Sequence, residues 1–260
     1  MPDRNDPFAR YSPPLLKAFR WYLHWYFWRH FCAVRLSRTG IPEAHAGRPV
    51  VLFTNHPSWW DPALFILVST KLFPGRRGFG PMAEHALKQY RLFERFGVFG
   101  IEDGARGAAR FLRVARNGLA DPRSALWITA GGEFADVRTR PVPLRPGIAH
   151  LARHAPNAVF IPVALEYVFW NESRPEALMR FGPPVAVPAG DTGAALLHMT
   201  AALTETMDAL GAEAATRDPS LFVTLLHGTA GVGAIYDTWR RTRAMARRER
   251  FDARHEPRPL

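Results

Sequence analysis

The chain has 260 residues, 47% of them hydrophobic, enough for a sizeable core in one large domain. Its 34 Lys and Arg against 23 Asp and Glu leave a formal net charge of +11, nearly all of it carried by arginine, so an anionic partner is expected: nucleic acid, a membrane surface or an acidic substrate. The single cysteine, Cys32, excludes an internal disulfide framework and any multi-cysteine metal site, and no apolar run reaches the about 18 residues of a spanning helix.

The first residues, MPDRND, are too polar for the apolar segment of a signal peptide. Residues Ser12 to Arg38 read as one long helix in which Phe19, Trp21, Tyr22, Trp25, Tyr26, Phe27, Trp28 and Phe31 crowd together. Lys17, Arg20, His24, Arg35 and Arg38 fall near one stripe at helical spacing. Two arrangements fit: a helix buried against its own domain, or an interfacial helix with rings at headgroup level and cations toward anionic lipid. The polar tips of so many Trp and Tyr favour the second.

A link marked by Gly40, Pro42, Gly47 and Pro49 leads into alternating elements. Strands are expected at Val50–Thr54, Gly78–Ala83, Val98–Ile101, Ala125–Thr129, Val159–Phe169 and Leu178–Val187. Helices are expected at Trp59–Ser69, Glu84–Arg95, Ala105–Asn117, Gly147–His154 and Thr192–Ala215. The alternation predicts an α/β fold, a mixed and largely parallel sheet flanked by helices and preceded by the aromatic helix. Three segments follow: 1–40 as the N-terminal interfacial helix, 41–235 as the α/β domain, and 236–260 as a basic C-terminal helix and tail.

That tail carries seven arginines between Thr238 and Arg254, and as a helix it is basic on most faces. A solvated terminal helix and a contact with lipid headgroups both fit it. No nucleic-acid recognition motif accompanies the charge, so no nucleic acid is expected as a partner. The stretch GTAGVG, Gly228 to Gly233, follows no clear strand and lacks a Lys-Ser/Thr end, which makes it a small-residue turn. His85, His150, His154, His198 and His227 show no metal-ligand spacing, and no metal is expected.

The stretch VLFTNHPSWWDPALF, Val51 to Phe65, holds the chemistry. Asn55 and His56 follow an apolar strand, and ligands gather at strand ends in α/β sheets. Five residues along a regular helix is about 500°, which would put His56 and Asp61 on different faces, so a bend must lie between them if they touch. If they do, the carboxylate holds one ring nitrogen as N–H and leaves the other to accept a proton, the pairing of general-base catalysis. No protein side chain stands out as a covalent nucleophile, which leaves a substrate hydroxyl as a candidate for that role. A structural histidine beside a helix-cap aspartate is the alternative.

NHPSWWDP resembles the Asn-His-x-x-x-x-Asp block of the PlsC-type glycerolipid acyltransferase family, which includes 1-acylglycerol-3-phosphate acyltransferases. The similarity runs over about residues 49–187. YRLFERFGVFGIE resembles the second block, ITAGGEFADVRTRPVPLRPGIAHLA the third, and VFIPVALEY the fourth. The resemblance implies a mixed-sheet α/β fold with a membrane-associated N-terminal region. It implies acyl transfer from acyl-CoA or acyl-carrier protein, as co-substrate, to a lipid hydroxyl, with no further cofactor. The partners implied are a membrane lipid and the acyl donor, at the cytoplasmic face, with the protein peripheral or monotopic. His56 is then the base and Asp61 its orienter. Asn55, Trp59, Trp60, Gly131, Gly132, Glu133, Arg138 and Arg145 are the expected substrate-binding residues. Ordinary helix packing is the alternative for at least one of the two tryptophans.

The chain departs from the family where arginines are associated with the acceptor's phosphate. Asp103 and Phe134 stand at those places, and Arg106, Arg110, Arg138, Arg140 or Arg145 would have to supply the charge from nearby. Acceptors without a glycerophosphate headgroup, such as an ornithine lipid, a glycolipid or an isoprenoid alcohol, therefore stand beside a lysophospholipid. A non-catalytic peripheral lipid-binding protein is the third possibility.

Overall fold

The computed structural model describes residues 5–42, 45, 47–188, 190–229, 239, 242, 243 and 245–247 of the protein. Among them eight strands build one sheet: β1 (Ala33–Ser37), β2 (Val50–Thr54), β3 (Arg77–Ala83), β4 (Val98–Ile101), β5 (Ser124–Thr129), β6 (Val159–Val168), β7 (Glu176–Phe181) and β8 (Phe222–His227). Their spatial order is β4-β3-β5-β2-β6-β7-β1-β8. β7 runs antiparallel to β6 and β8 antiparallel to β1, and the other neighbours are parallel. The helices are α1 (Pro13–His30), α2 (Asp61–Leu72), α3 (Glu84–Gln89), α4 (Gly104–Gly118), α5 (Gly147–His154) and α6 (Thr192–Ala215).

Both faces of the sheet are covered, and the period of two decides which side chain goes where. Val51 and Phe53 of β2 join Leu126, Ile128 and Phe160 under α4, α5 and α6. Val50 and Leu52 point the other way, with Trp127 and Ile161, into a core closed by Phe27 of α1 and Leu64 and Val68 of α2. The expected mixed, mostly parallel α/β architecture is the one observed.

Several boundaries differ from expectation. The long helix Ser12–Arg38 is instead α1 followed by β1, with Phe31 capping the helix in an extended conformation. Ala33–Leu36 pairs with Glu176–Met179 on one side, and Ala33–Ser37 pairs with β8 on the other, so distant partners override the local helical pattern. Residues 1–40 thus supply both a helix and an inner strand of the sheet. β7 stops at Phe181, not at Val187, because Gly182-Pro183-Pro184 cannot continue a ladder. Glu84–Arg95 divides into α3 and a 3-10 turn, Arg91–Phe96, that ends at Gly97 with φ +85°. β8 was not anticipated. The basic tail and the Gly228–Gly233 stretch fall largely outside the described residues.

Candidate active site

β2 lies between β5 and β6, in register with Thr54 opposite Thr129 and Val163. β6 runs five residues beyond that point, and Asn55 fastens the departing loop to the overhang. Its side-chain amide donates to the Leu165 carbonyl at 2.9 Å and accepts from the Leu165 N–H at 2.8 Å. Asn55, expected to bind substrate, therefore has both amide atoms engaged in holding the loop in place. The His56 carbonyl accepts from Ala135 N–H at 3.0 Å, which ties the same loop to the segment after β5.

The helix does not begin until Asp61, so residues 55–60 are free to turn. That turn is the bend the spacing required. His56 Nδ1 lies 2.6 Å from Asp61 Oδ2. Asp61 is 0% exposed, and its carboxylate also accepts the Ser58 N–H at 3.3 Å and the Tyr167 hydroxyl at 2.7 Å. Burial pushes the Asp61 carboxyl above its ordinary range, while the hydrogen bonds from His56, Tyr167 and Ser58 pull the other way. Burial, together with the charge of Asp61, drives the Tyr167 phenol well above its ordinary range, so it remains a donor. Because Asp61 accepts, the proton on His56 is assigned to Nδ1, and Nε2 is left as the basic nitrogen. Among the described residues Nε2 has no hydrogen-bond partner.

His56 opens onto a cleft of about 1640 Å³ that runs between α1, α2, α4 and the β3–β4 region. Its walls are mainly apolar, among them Leu16, Phe65, Ile66, Phe79, Phe96 and Phe111. Lys17, Arg20 and His24 share one face of α1 along its border. Arg35, placed on the same stripe by helical spacing, instead lies in β1 and is buried against Glu176.

The two tryptophans divide. Trp59, 65% exposed, lines the cleft. Trp60 packs against α1 and its cap, its ring centroid 5.2 Å from that of Tyr26 and 5.7 Å from that of Phe31.

The segment after β5 forms the cleft's other lip. Gly132 has φ +74°, a backbone conformation that favours glycine, and it lies against the Arg145 guanidinium. Arg145 donates to the Gly131 carbonyl at 3.1 Å and to Glu133 at 3.0 Å. Gly132, Glu133 and Arg145 border the cleft; Gly131 does not, and it packs against the Pro143 carbonyl. Arg138 is outside the cleft wall, paired with Asp136 at 2.8 Å on the surface. Arg110 and Arg140 are likewise outside, paired with Glu84 and Asp208, and Arg106 is also outside. Of the five nearby arginines only Arg145 reaches the cleft, and its charge is already met by Glu133. The ring of Phe134 lies 4.3 Å from that of His56, centroid to centroid.

Sequence reasoning did not single out Tyr167. The signal was present in the alternation Val163, Leu165, Tyr167, which places the phenol on the α2 face of β6. Cys32 offers no nucleophile: burial and the nearby Glu176 and Glu172 push its thiol up to about 12. Among the described residues no group of three or more His, Cys, Asp or Glu is arranged to hold a metal ion.

A sequence model of the family described as Acyltransferase matches residues 35–166. No curated protein matches the chain. Among solved structures, the crystal structure of the 1-acyl-sn-glycerophosphate (LPA) acyltransferase, PlsC, from Thermotoga maritima superposes with a TM-score of 0.55 at 15% sequence identity, covering 82% of this chain and 84% of that one. At that identity the likeness concerns the fold.

Proposed function

The chain belongs to the acyltransferase family, and from that premise we propose that it transfers a fatty acyl group from the thioester of acyl-CoA or acyl-carrier protein to a hydroxyl of a lysophospholipid-like lipid, with His56 as general base. The observation that carries this is the His56–Asp61 pair, 2.6 Å apart, with His56 lining a large apolar cleft. Nε2 of His56 takes the hydroxyl proton as the acceptor oxygen attacks the thioester carbonyl carbon. Asp61 holds the imidazole in the required tautomer and stabilises the imidazolium. Collapse of the tetrahedral intermediate breaks the C–S bond, and the imidazolium returns the proton to the leaving thiolate. The apolar walls suit an acyl chain, with Trp59, Gly132 and Glu133 among the lining residues. Incubating the purified protein with labelled acyl-CoA and a total lipid extract is the direct test. A labelled lipid ester that requires the protein is expected, and release of free fatty acid alone contradicts the proposal.

The acceptor's headgroup is the finer question. An acceptor phosphate in a partly buried site needs charge-assisted donors. Here Phe134 covers the His56 ring and Arg145 is paired with Glu133, which favours an acceptor without a phosphate beside the reacting hydroxyl. Initial rates with lysophosphatidic acid, lyso-ornithine lipid and uncharged hydroxyl lipids at equal acyl-CoA decide between them. A clear preference for lysophosphatidic acid that is lost in Arg145→Ala contradicts this choice of acceptor.

The proposed location is the membrane surface, at its cytoplasmic face, with α1 as the contact. Trp21, Tyr22, Trp25 and Trp28 are all exposed on it, with Trp21 at 77%. No helix of the described residues is long and apolar enough to cross a membrane, so peripheral attachment is the mode proposed.

A further inference from the structure

Three hydrogen bonds reach the Asp61 carboxylate: His56 Nδ1 at 2.6 Å and the Ser58 N–H at 3.3 Å both meet Oδ2, and the Tyr167 hydroxyl donates to Oδ1 at 2.7 Å. A carboxylate held at one oxygen can still swing about its Cβ–Cγ bond. Held at both, it presents Oδ2 to the imidazole in one orientation.

The fold supplies this contact by register. β6 overruns β2, whose last residue Thr54 pairs with Val163. The overhang passes beside the loop that carries His56, and Asn55 clamps that loop to Leu165. Tyr167 stands two residues further along, on the same face of the strand as Leu165. α2 begins on that face with Asp61, and the phenol ring packs near Phe31, with centroids 6.1 Å apart.

We infer that Tyr167 is a positioning residue for the acyl transfer, acting through Asp61 to hold the His56 imidazole in its working orientation. The inference rests on His56 being the base. Tyr167 touches neither the acceptor nor the acyl group in this account, and its effect passes wholly through the carboxylate. The titratable groups that face Asp61 are His56 and Tyr167, and the Ser58 N–H is the remaining donor. Loss of the Tyr167 hydroxyl therefore removes one of three donors that keep a buried carboxylate ionised, and protonation then competes at higher pH.

The test uses the full-length chain with labelled acyl-CoA and a total lipid extract, in four variants: Tyr167→Phe, Asp61→Asn, the double variant, and His56→Ala. Phe keeps the ring and its packing, and thermal melting checks the fold. Tyr167→Phe is expected to lower kcat about tenfold, the scale of one charge-assisted hydrogen bond, with KM for acyl-CoA changed by less than about twofold. The acid limb of its pH–rate profile is expected to move to higher pH, a shift that lost packing alone does not produce. In the Asp61→Asn background the same substitution is expected to change the rate by less than about twofold, because the partner it acts through is gone. Ring nitrogen shifts in histidine-labelled protein give a readout without turnover: the Nδ1–H tautomer of His56 is expected to lose population in Tyr167→Phe. Wild-type kcat with an unmoved acid limb overturns the inference. So does an undiminished loss in the Asp61→Asn background, or an unchanged tautomer ratio. A His56→Ala variant that turns over normally overturns the base itself, and is thereby distinguished from a failure of Tyr167 alone.

Discussion

Arg35 of β1 and Glu176 of β7 form a buried ion pair between residues 141 positions apart in the chain. Arg35 Nη2 also donates to the second Glu176 oxygen at 3.2 Å, and Nη1 donates to Thr224 of β8 at 2.9 Å. One guanidinium therefore joins three neighbouring strands. Removing one partner leaves an uncompensated buried charge, which costs about 3–5 kcal/mol. Glu176→Ala should lower the unfolding free energy by that order in denaturant melts. A loss under about 1 kcal/mol would mean that water reaches Arg35 in the variant.

The exposed tryptophans of α1 are expected to bind membrane. Replacing Trp21, Trp25 and Trp28 by Ser should remove most co-sedimentation with anionic vesicles. Stability should stay within about 1.5 kcal/mol of wild type, about 0.5 kcal/mol for each of three surface positions. High salt should release the wild-type protein only in part, because it screens the cations and not the rings. Point variants are the right probe, since deleting α1 would also take Leu23 and Phe27 out of the core. A triple variant that binds vesicles as wild type does would remove α1 as the contact.

The same pattern explains what was legible in the sequence. β2, β4, α5 and α6 stand at their expected bounds because each is a run whose own periodicity or turn signals close it. β1 was hidden because Ala33–Ser37 follows an aromatic helix directly and carries an arginine, and what makes it a strand is pairing with β7 and β8. Arg35 looked like part of a basic stripe because its partner Glu176 is invisible locally. The His56–Asp61 pair was visible as residue types and as a requirement for a bend. Tyr167 was not, because its contact depends on how far β6 overruns β2, a matter of register.

Asp61 makes stability and activity depend on pH in opposite senses. Burial raises its carboxyl above the ordinary 3.8, so the native state keeps the proton after the unfolded chain has released it. This site favours folding most below 3.8, and the contribution is lost as pH climbs through the folded value. Activity falls in the other direction, as pH drops through that same value and the imidazole loses its charged acceptor. Denaturant melts of wild type and Asp61→Asn from about pH 3.5 to 7 should show the wild-type advantage shrinking as pH rises. An advantage that grows with pH would mean that the hydrogen bonds outweigh burial.

The central claim is that His56 takes the proton from the acceptor hydroxyl. The measurement that tests it most directly is the initial rate of label transfer from acyl-CoA to lipid by His56→Ala against wild type, with circular dichroism to confirm that the variant is folded. Loss of the base is expected to lower the rate by a factor of about 10²–10⁴. A folded His56→Ala protein that transfers label at close to the wild-type rate would contradict the mechanism.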